Sequence, residues 1–468
     1  MEGVVMTSGA ELLRVTNKVY LANIEKWKLN KAAFEGGEEW KALKLLYEYV
    51  AEANPEYEKR IQQTPLENHC ESVITTYAGF IWRDPPKRNF GKLDKNTNLN
   101  RLALDADMDG TPLNEFMKTV QVFGGVYGVV WVVLDKPAVT AATKADEIRS
   151  GLRPYVRLYT PEDVLDFEFT TALNGATLLS YLKTKTETET RKGRAVTVIE
   201  WTVESIKTTK ILENLIVGEP VEVVNPLGAI PAVLYSNQKS TVRGKASSDI
   251  EDIVGMQVSI YNDYSELTQM IRGSNHKTLV KNPGDQATSG AGGVILMDPD
   301  APADKKPYLL QADAEALAGL LSAIEKKTEA INRMAHLTSV RTYRKQAISG
   351  VAMETEFQIL NTLLAGKSAQ LQLCEYQLFR MFCLWEGVDA EASGYEVTYP
   401  LRFELRDRRA DLEFLTAAKG VAERMNSVTL LRELNKLIAR VCLVDDGMIE
   451  KIDRELGRKV GAPTAVAG

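Results

Sequence analysis

The sequence predicts an α+β protein with more than one packed region, and three observations carry that reading. Short β-branched runs recur between Gly128 and Val224, apolar residues return at intervals of three and four after Pro231, and 468 residues exceed what one hydrophobic core usually supports. With 44% hydrophobic and 26% charged residues the composition is that of a folded chain, and only the tail after Arg458 reads as loose.

In the first third, Trp40, Leu43, Tyr47 and Val50 predict an amphipathic helix over Glu38–Ala51, with Asn54-Pro55 as its stop. A second short helix is expected over Leu66–Tyr77, ending in the loop Arg83-Asp84-Pro85-Pro86, and a third over Leu113–Val120, with Thr111-Pro112 at its start. The run Gly128–Leu134 predicts a buried strand. Tyr155–Leu158, Val196–Val203, Lys210–Leu215 and Val221–Val224 read as strands of a sheet, and the Lys/Thr/Glu-rich stretch Lys183–Arg194 as a solvated hairpin or loop.

Beyond Pro231, Asp249–Arg272 places Ile250, Ile253, Val254, Ile260, Tyr261, Tyr264, Leu267 and Ile271 on one stripe, a helix of ~36 Å at 1.5 Å rise per residue. Gly273 breaks it. The Gly/Pro-rich residues that follow support only short strands such as Thr278–Val280 and Val294–Met297. Asp313 is a suitable N-cap for a returning helix carrying Leu317, Leu320, Leu321, Ile324, Ile331 and Met334. A polar, basic stretch containing Arg341, Arg344 and Lys345 then leads into a helix over Met353–Trp385, ~50 Å long if unbroken at Gly366. A strand-like Tyr395–Leu405 and shorter helices over Arg408–Leu456 complete the expectation.

Net charge is −6, which argues against tight phosphate-driven binding of nucleic acid. The longest uncharged run, Val120–Leu134, contains three glycines and falls short of the ~20 residues of a membrane-spanning helix. The first ten residues carry no secretory pattern. Cys70, Cys374, Cys383 and Cys442 are too scattered for a disulfide framework or zinc site and read as reduced core residues.

Asp105-Ala-Asp107-Met-Asp109-Gly110 opens like a calcium loop, but Phe116 stands where the bidentate Glu belongs and Pro112 interrupts it, so it reads as a solvated acidic turn. His69, His276 and His336 lack metal-ligand spacing, and no phosphate loop, dinucleotide fingerprint or nucleophile elbow occurs. No cofactor, metal or catalytic residue is assigned, and an ATPase, an oxidoreductase and a serine hydrolase are disfavoured. A nuclease built from scattered carboxylates stays open.

The order of elements resembles the portal proteins of tailed double-stranded DNA bacteriophages. Local segments sharpen the resemblance: Asn68–Pro86, Asp107–Phe116 followed by Gly124–Pro137, Ser349-Gly350-Val351-Ala352-Met353 before the long helix, and Asn426–Leu431 near the C-terminus. Each alone is weak, and their order carries the likeness over Leu66 to about Leu456.

The resemblance implies a portal-like division: an α/β wing over 1–247, stem helices over 248–273 and 313–337, and a clip over 274–312. A tunnel loop over 338–349, a long wing helix with a returning strand over 350–406, and a helical crown with a tail over 407–468 complete it. It further implies a non-enzymatic subunit of a homo-oligomeric ring, commonly a dodecamer, at a capsid vertex of the virion, assembled in the host cytoplasm and in contact with no membrane. Its partners are the major capsid protein, terminase, a tail adaptor and the double-stranded DNA passing through the channel.

Under that reading Lys277, Lys281, Asn282 and Gly284 belong to the docking clip. The polar face of the first stem helix, with Asp252, Ser259, Asp263 and Glu266, either lines the channel or is the solvated outer face of an amphipathic helix, since periodicity does not say which polar face looks inward. Arg341, Arg344 and Lys345 touch the DNA backbone from the tunnel loop. The competing readings are another head–tail connector or minor capsid protein and, further off, a metal-dependent enzyme.

Overall fold

Asn17 starts the first long helix. Its side-chain oxygen accepts from the backbone N–H groups of Val19 and Tyr20, at 3.0 and 3.2 Å, and so satisfies donors that no helical carbonyl reaches. In the computed structural model this helix, α2 (Lys18–Glu35), follows a short α1 (Gly9–Leu12), and nothing in the periodicity had announced it. The structure describes residues 9–50, 52–137, 149–191, 193–275, 278–280, 308–310, 314–341, 350–403 and 408–442, with 146, 302, 448, 451–452 and 454–456. They form two compact units divided after Arg402.

The helix expected over Glu38–Ala51 is cut short. Only α3 (Gly37–Ala42) is helical, and Lys44 turns to a positive φ of 51°. Other elements claim the backbone groups of the next residues: Asn262 accepts from Tyr47 N and donates to Leu45 O, and the Tyr57 hydroxyl donates to Lys44 O and Leu46 O. A segment whose polar groups are satisfied from outside has no need of helical hydrogen bonds. Asn54-Pro55 begins α4 (Asn54–Gln63) with proline in its first turn, where the missing N–H costs nothing.

After α5 (His69–Ile81), β1 (Lys87–Asn89) and α6 (Thr97–Leu104) comes α7 (Leu113–Tyr127), about two turns longer than expected at 3.6 residues per turn. The glycines near its end mark close packing. A Cβ on Gly124 would stand 2.2 Å from the Tyr235 ring, and one on Gly128, at φ 87°, 2.1 Å from Ala246 O. The apolar run that follows is β2 (Val129–Asp135), buried on both faces.

β2 is the centre of a three-stranded antiparallel sheet, between β3 (Tyr155–Tyr159) and the later β10 (Ala232–Ser236). A second antiparallel sheet runs in the order β4 (Val164–Thr171), β5 (Thr177–Thr190), β6 (Gly193–Thr202), β7 (Ser205–Leu212), β8 (Leu215–Ile216), with β9 (Val221–Val224) also on β7. The charged stretch Lys183–Arg194 is the β5–β6 hairpin. Trp131, Tyr159, Val164, Leu182, Trp201 and Ile230 fuse the two sheets into one core.

The second half is helical: α8 (Ile253–Asn275), which runs on through Gly273 where a break was expected, α9 (Ala314–Met334) and, further on, α11 (Gly350–Glu386) follow the periodicity. The single-turn α10 (Thr338–Arg341) lies in the stretch read as a loop, and α12 (Ala390–Ser393) was not expected. Between α8 and α9, β11 (Thr278–Val280) pairs antiparallel with β12 (Tyr308–Leu310), Thr278 opposite Leu310. The expected Val294–Met297 strand and the Asp313 cap lie outside the described residues. The strand expected over Tyr395–Leu405 shrinks to β13 (Glu396–Thr398), which pairs with β1. In the second unit α13 (Arg408–Arg424) and α14 (Val428–Cys442) pack through Leu415, Ala422 and Leu434.

Cys70, Cys374 and Cys383 are buried and free, and burial pushes the Cys383 thiol up to about 11; Cys442 is exposed, against the expectation of a core residue, because it sits on the open side of α14. Among the described residues no helix is long and apolar enough to cross a membrane.

Two buried ion pairs fasten α11. Lys367 Nζ donates to Asp249 Oδ1 at 2.5 Å and Asn237 Oδ1 at 2.7 Å and lies 5.6 Å from the centre of the Tyr77 ring. Arg88 meets Glu375 with two hydrogen bonds of 2.5 and 2.9 Å, while the Tyr395 and Tyr399 hydroxyls donate to the same carboxylate.

Lys367 and Asp249 are 2% and 3% exposed. Lys367→Met, which leaves Asp249 buried without its cation, is expected to cost ~3–5 kcal/mol in urea unfolding, and adding Asp249→Leu to recover much of the loss.

Near the surface, burial and a hydrogen bond that the protonated Glu35 carboxyl donates to Glu39 raise Glu35 from 4.5 to about 7, against the opposing pull of Lys31. The folded state therefore holds a proton more tightly than the unfolded one, and stability falls as pH rises from 4.5 to about 7. Thermal melts across this window are expected to show a shallower decline for Glu35→Gln.

Candidate functional site

The helix pair α8/α9 is the feature with the strongest functional content, and polar ties fix it turn by turn. Gln257 is wholly buried on α8; its Nε2 donates to Ala33 O at 3.1 Å and its Oε1 accepts from Cys70 N at 2.8 Å, joining α2, α5 and α8. Asn262 holds the 45–47 segment. Arg60 on α4 donates to Ser265 Oγ at 3.0 Å while forming a two-point pair with Glu52 at 2.8 and 2.7 Å. Each buried polar group is matched, so α8 has one rotation and one height on the body.

α9 leans on α8 through Ile324 and Ile331, and through Lys327, which donates to Ser259 Oγ at 2.8 Å and pairs with Asp263. Its last turn is pinned by the Tyr77 hydroxyl, which donates to Ala335 O at 2.6 Å. Its first half is different. From Glu315 to Ala323 the helix is largely apolar, with Leu317, Leu320 and Leu321, yet no residue is buried.

The structure separates the three carboxylates expected to line a channel. Asp252 is exposed in the turn before α8, Asp263 faces α9 and is paired with Lys327, and Glu266 accepts from the Tyr49 hydroxyl at 2.5 Å. Two of the three are thus engaged inside the chain, because the polar side of α8 is where α9 and the 47–49 segment pack.

Arg341 is likewise an anchor. It closes α10, half-buried, and its guanidinium donates to Ser72 O, Ser72 Oγ and Thr76 Oγ1 at 2.7, 2.8 and 2.9 Å, and to Asn332 Oδ1 at 3.3 Å. A group whose donors are turned onto α5 is not presented to a phosphate backbone. Arg344 and Lys345, with Lys277, Lys281, Asn282 and Gly284, lie outside the described residues.

In the acidic turn, Asp105 Oδ1 accepts from Gly110 N and Asp107 Oδ1 from Asp109 N, both at 2.9 Å, and Asp105 Oδ2 meets Arg153 at 2.7 Å. These carboxylates close a turn; against its partial burial, which raises it, hydrogen bonds from the Thr111 side chain and from backbone N–H groups hold Asp107 below the usual carboxylate range. Among the described residues no group of three or more ligating side chains could hold a metal ion.

Sequence reasoning missed Gln257, Arg60 and Lys327. The first stands on the apolar side of its helix, and a polar residue among apolar ones was the available signal for it.

No protein-family model matches the sequence, and no curated protein matches it. Among solved structures the chain is similar to the neck of an empty GTA particle computed with C6 symmetry, at 10% identity and a TM-score of 0.42 over 75% of this chain and 86% of that one. It is also similar to the neck of a native GTA particle computed with C12 symmetry, at 10% identity and a TM-score of 0.41 over 78% and 89%.

Arg341→Ala is expected to lower stability by ~2 kcal/mol, the scale of lost hydrogen bonds from a charged donor, in denaturant titration. Arg341→Lys is expected to recover little, since a single ammonium cannot reproduce the fork.

Proposed function

We propose that this chain is the portal subunit of a tailed-phage-like particle: a non-catalytic protein that closes into a ring through which double-stranded DNA passes. The observation that carries the reading is the first half of α9. A helical segment with three leucines and no buried residue does not sustain itself in water, so another surface must cover it.

A neighbouring copy supplies that surface most economically. A helix flank meeting a different part of the next subunit makes a head-to-tail contact, and such contacts close into rings when the rotation permits. The β11–β12 pair at the far end of α8 and α9 offers a place for terminase during packaging and for a tail adaptor afterwards, where change does not disturb the core. Asp252, in the turn before α8, and Glu329, on α9, are exposed and contribute negative charge to the proposed lumen, which disfavours phosphate gripping. In this reading Arg344 and Lys345 remain the DNA-facing cations, and Arg341 holds their segment to α5.

Purified protein is expected to form rings with a central hole in negative-stain images, and Leu317→Glu with Leu321→Glu to yield monomers of unchanged circular dichroism in light scattering. A monodisperse monomer of the parent protein over a wide concentration range overturns the reading.

A further inference from the structure

A second surface, on α11, points to a partner of different chemistry. Between Phe357 and Phe379 this helix has only two charged residues, Lys367 and Glu375, and both are buried. Its open side carries Ile359, Leu363, Gly366, Gln370, Leu373, Gln377, Arg380 and Leu384. That spacing alternates four and three, the seam spacing of helix-on-helix packing, and runs for ~37 Å at 1.5 Å per residue.

The seam forms one wall of a cleft of about 930 Å³, with the β4–β5 hairpin and β10 opposite; a recess of about 560 Å³ continues it towards Ile359, sharing Lys239 and Gln370. Leu178, Val242, Leu373 and Leu384 line the cleft and are exposed. Clustered exposed apolar side chains in a concavity mark a contact surface, and a long stripe that carries a single charge, Arg380 near its end, on a chain with 26% charged residues has the charge depletion of an interface centre.

The charges around the cleft say what kind of partner fits. Lys239, Arg243 and Arg380 line it, and among the described residues none of the three forms an ion pair. Arg243 is held in place by the Phe169 ring, its guanidinium carbon 5.2 Å from the ring centre. The carboxylates of the cleft, Asp389 and Glu391, stand beyond the end of α11, and Asp389 is occupied in accepting from Glu391 N at 2.9 Å.

We propose that this cleft docks an amphipathic helix of a partner protein, its apolar stripe on the α11 seam and carboxylates on its polar face opposite Lys239, Arg243 and Arg380. The leucine-lined seam favours a protein over a nucleic acid, whose phosphates gain nothing from apolar contact. The inference does not depend on ring formation.

The test is fluorescence anisotropy with the full chain and a labelled synthetic peptide bearing leucines at heptad seam positions and glutamates elsewhere. Saturable binding is expected, weakened about tenfold by Arg243→Glu with Arg380→Glu and lost in Leu373→Asp. Arg243→Gln with Arg380→Gln is a milder pair should the reversal disturb folding, which circular dichroism reports; it is expected to weaken binding in the same direction. A peptide with lysines in place of the glutamates is expected to bind about tenfold more weakly. Equal binding of the two peptides, indifference to both charge variants, or displacement by short duplex DNA overturns the proposal. So does light scattering in which Leu373→Asp dissolves a self-association of the parent chain, since the seam is then covered by a second copy.

Discussion

The rotation and height of α8 depend on one constraint: Gln257, Asn262 and Ser265 are buried, and each must find partners there. An amide left unpaired in a protein interior costs ~1–3 kcal/mol, so a helix carrying such groups is held in register far more tightly than apolar contact alone would hold it. Gln257 satisfies two backbone groups on two different helices, and Asn262 two on a third segment. The irregular path of residues 43–50 follows from this, since those backbone groups answer to α8 instead of to one another.

The same logic extends outward from α8. Lys327 on α9 reaches back to Ser259 and Asp263, and α5 receives both the last turn of α9, through Tyr77, and the end of α10, through Arg341. α11 is fixed by Lys367 to the residues that lead into α8 and by Glu375 to β1 and to the tyrosines flanking β13. The helical half is thus a set of long rods cross-linked by charged and amide groups, with apolar packing between the ties. Where the ties stop, at the first half of α9 and along the outer seam of α11, apolar surface stays open, and those two places are where partners are proposed.

Long helices and buried strands were legible because their signals are local. The apolar stripe of Ile253 to Leu267, the apolar positions of α11 from Phe357 and Leu360 to Phe382 and Trp385, and the all-apolar run of β2 each state a period that needs no tertiary partner to be read. α2 was not legible: its faces mix Lys, Asn and Ala without a clean stripe, and Asn23, Asn30 and Trp27 are buried together. Nor was the fate of 43–50, whose helical spacing was overridden by side chains two hundred residues away.

The candidate site shows the division most sharply. By itself the sequence determined that two helices flank a short insert, that a polar and basic stretch precedes a very long helix, and that α8 has a carboxylate-bearing polar side. Only the tertiary structure decided what those charges do: Asp263 and Glu266 are met by Lys327 and Tyr49, and the Arg341 guanidinium turns onto Ser72 and Thr76. Periodicity separates polar faces from apolar ones, but whether a polar face meets water, a partner or another segment of the same chain depends on contacts between residues far apart in sequence, which no local pattern encodes.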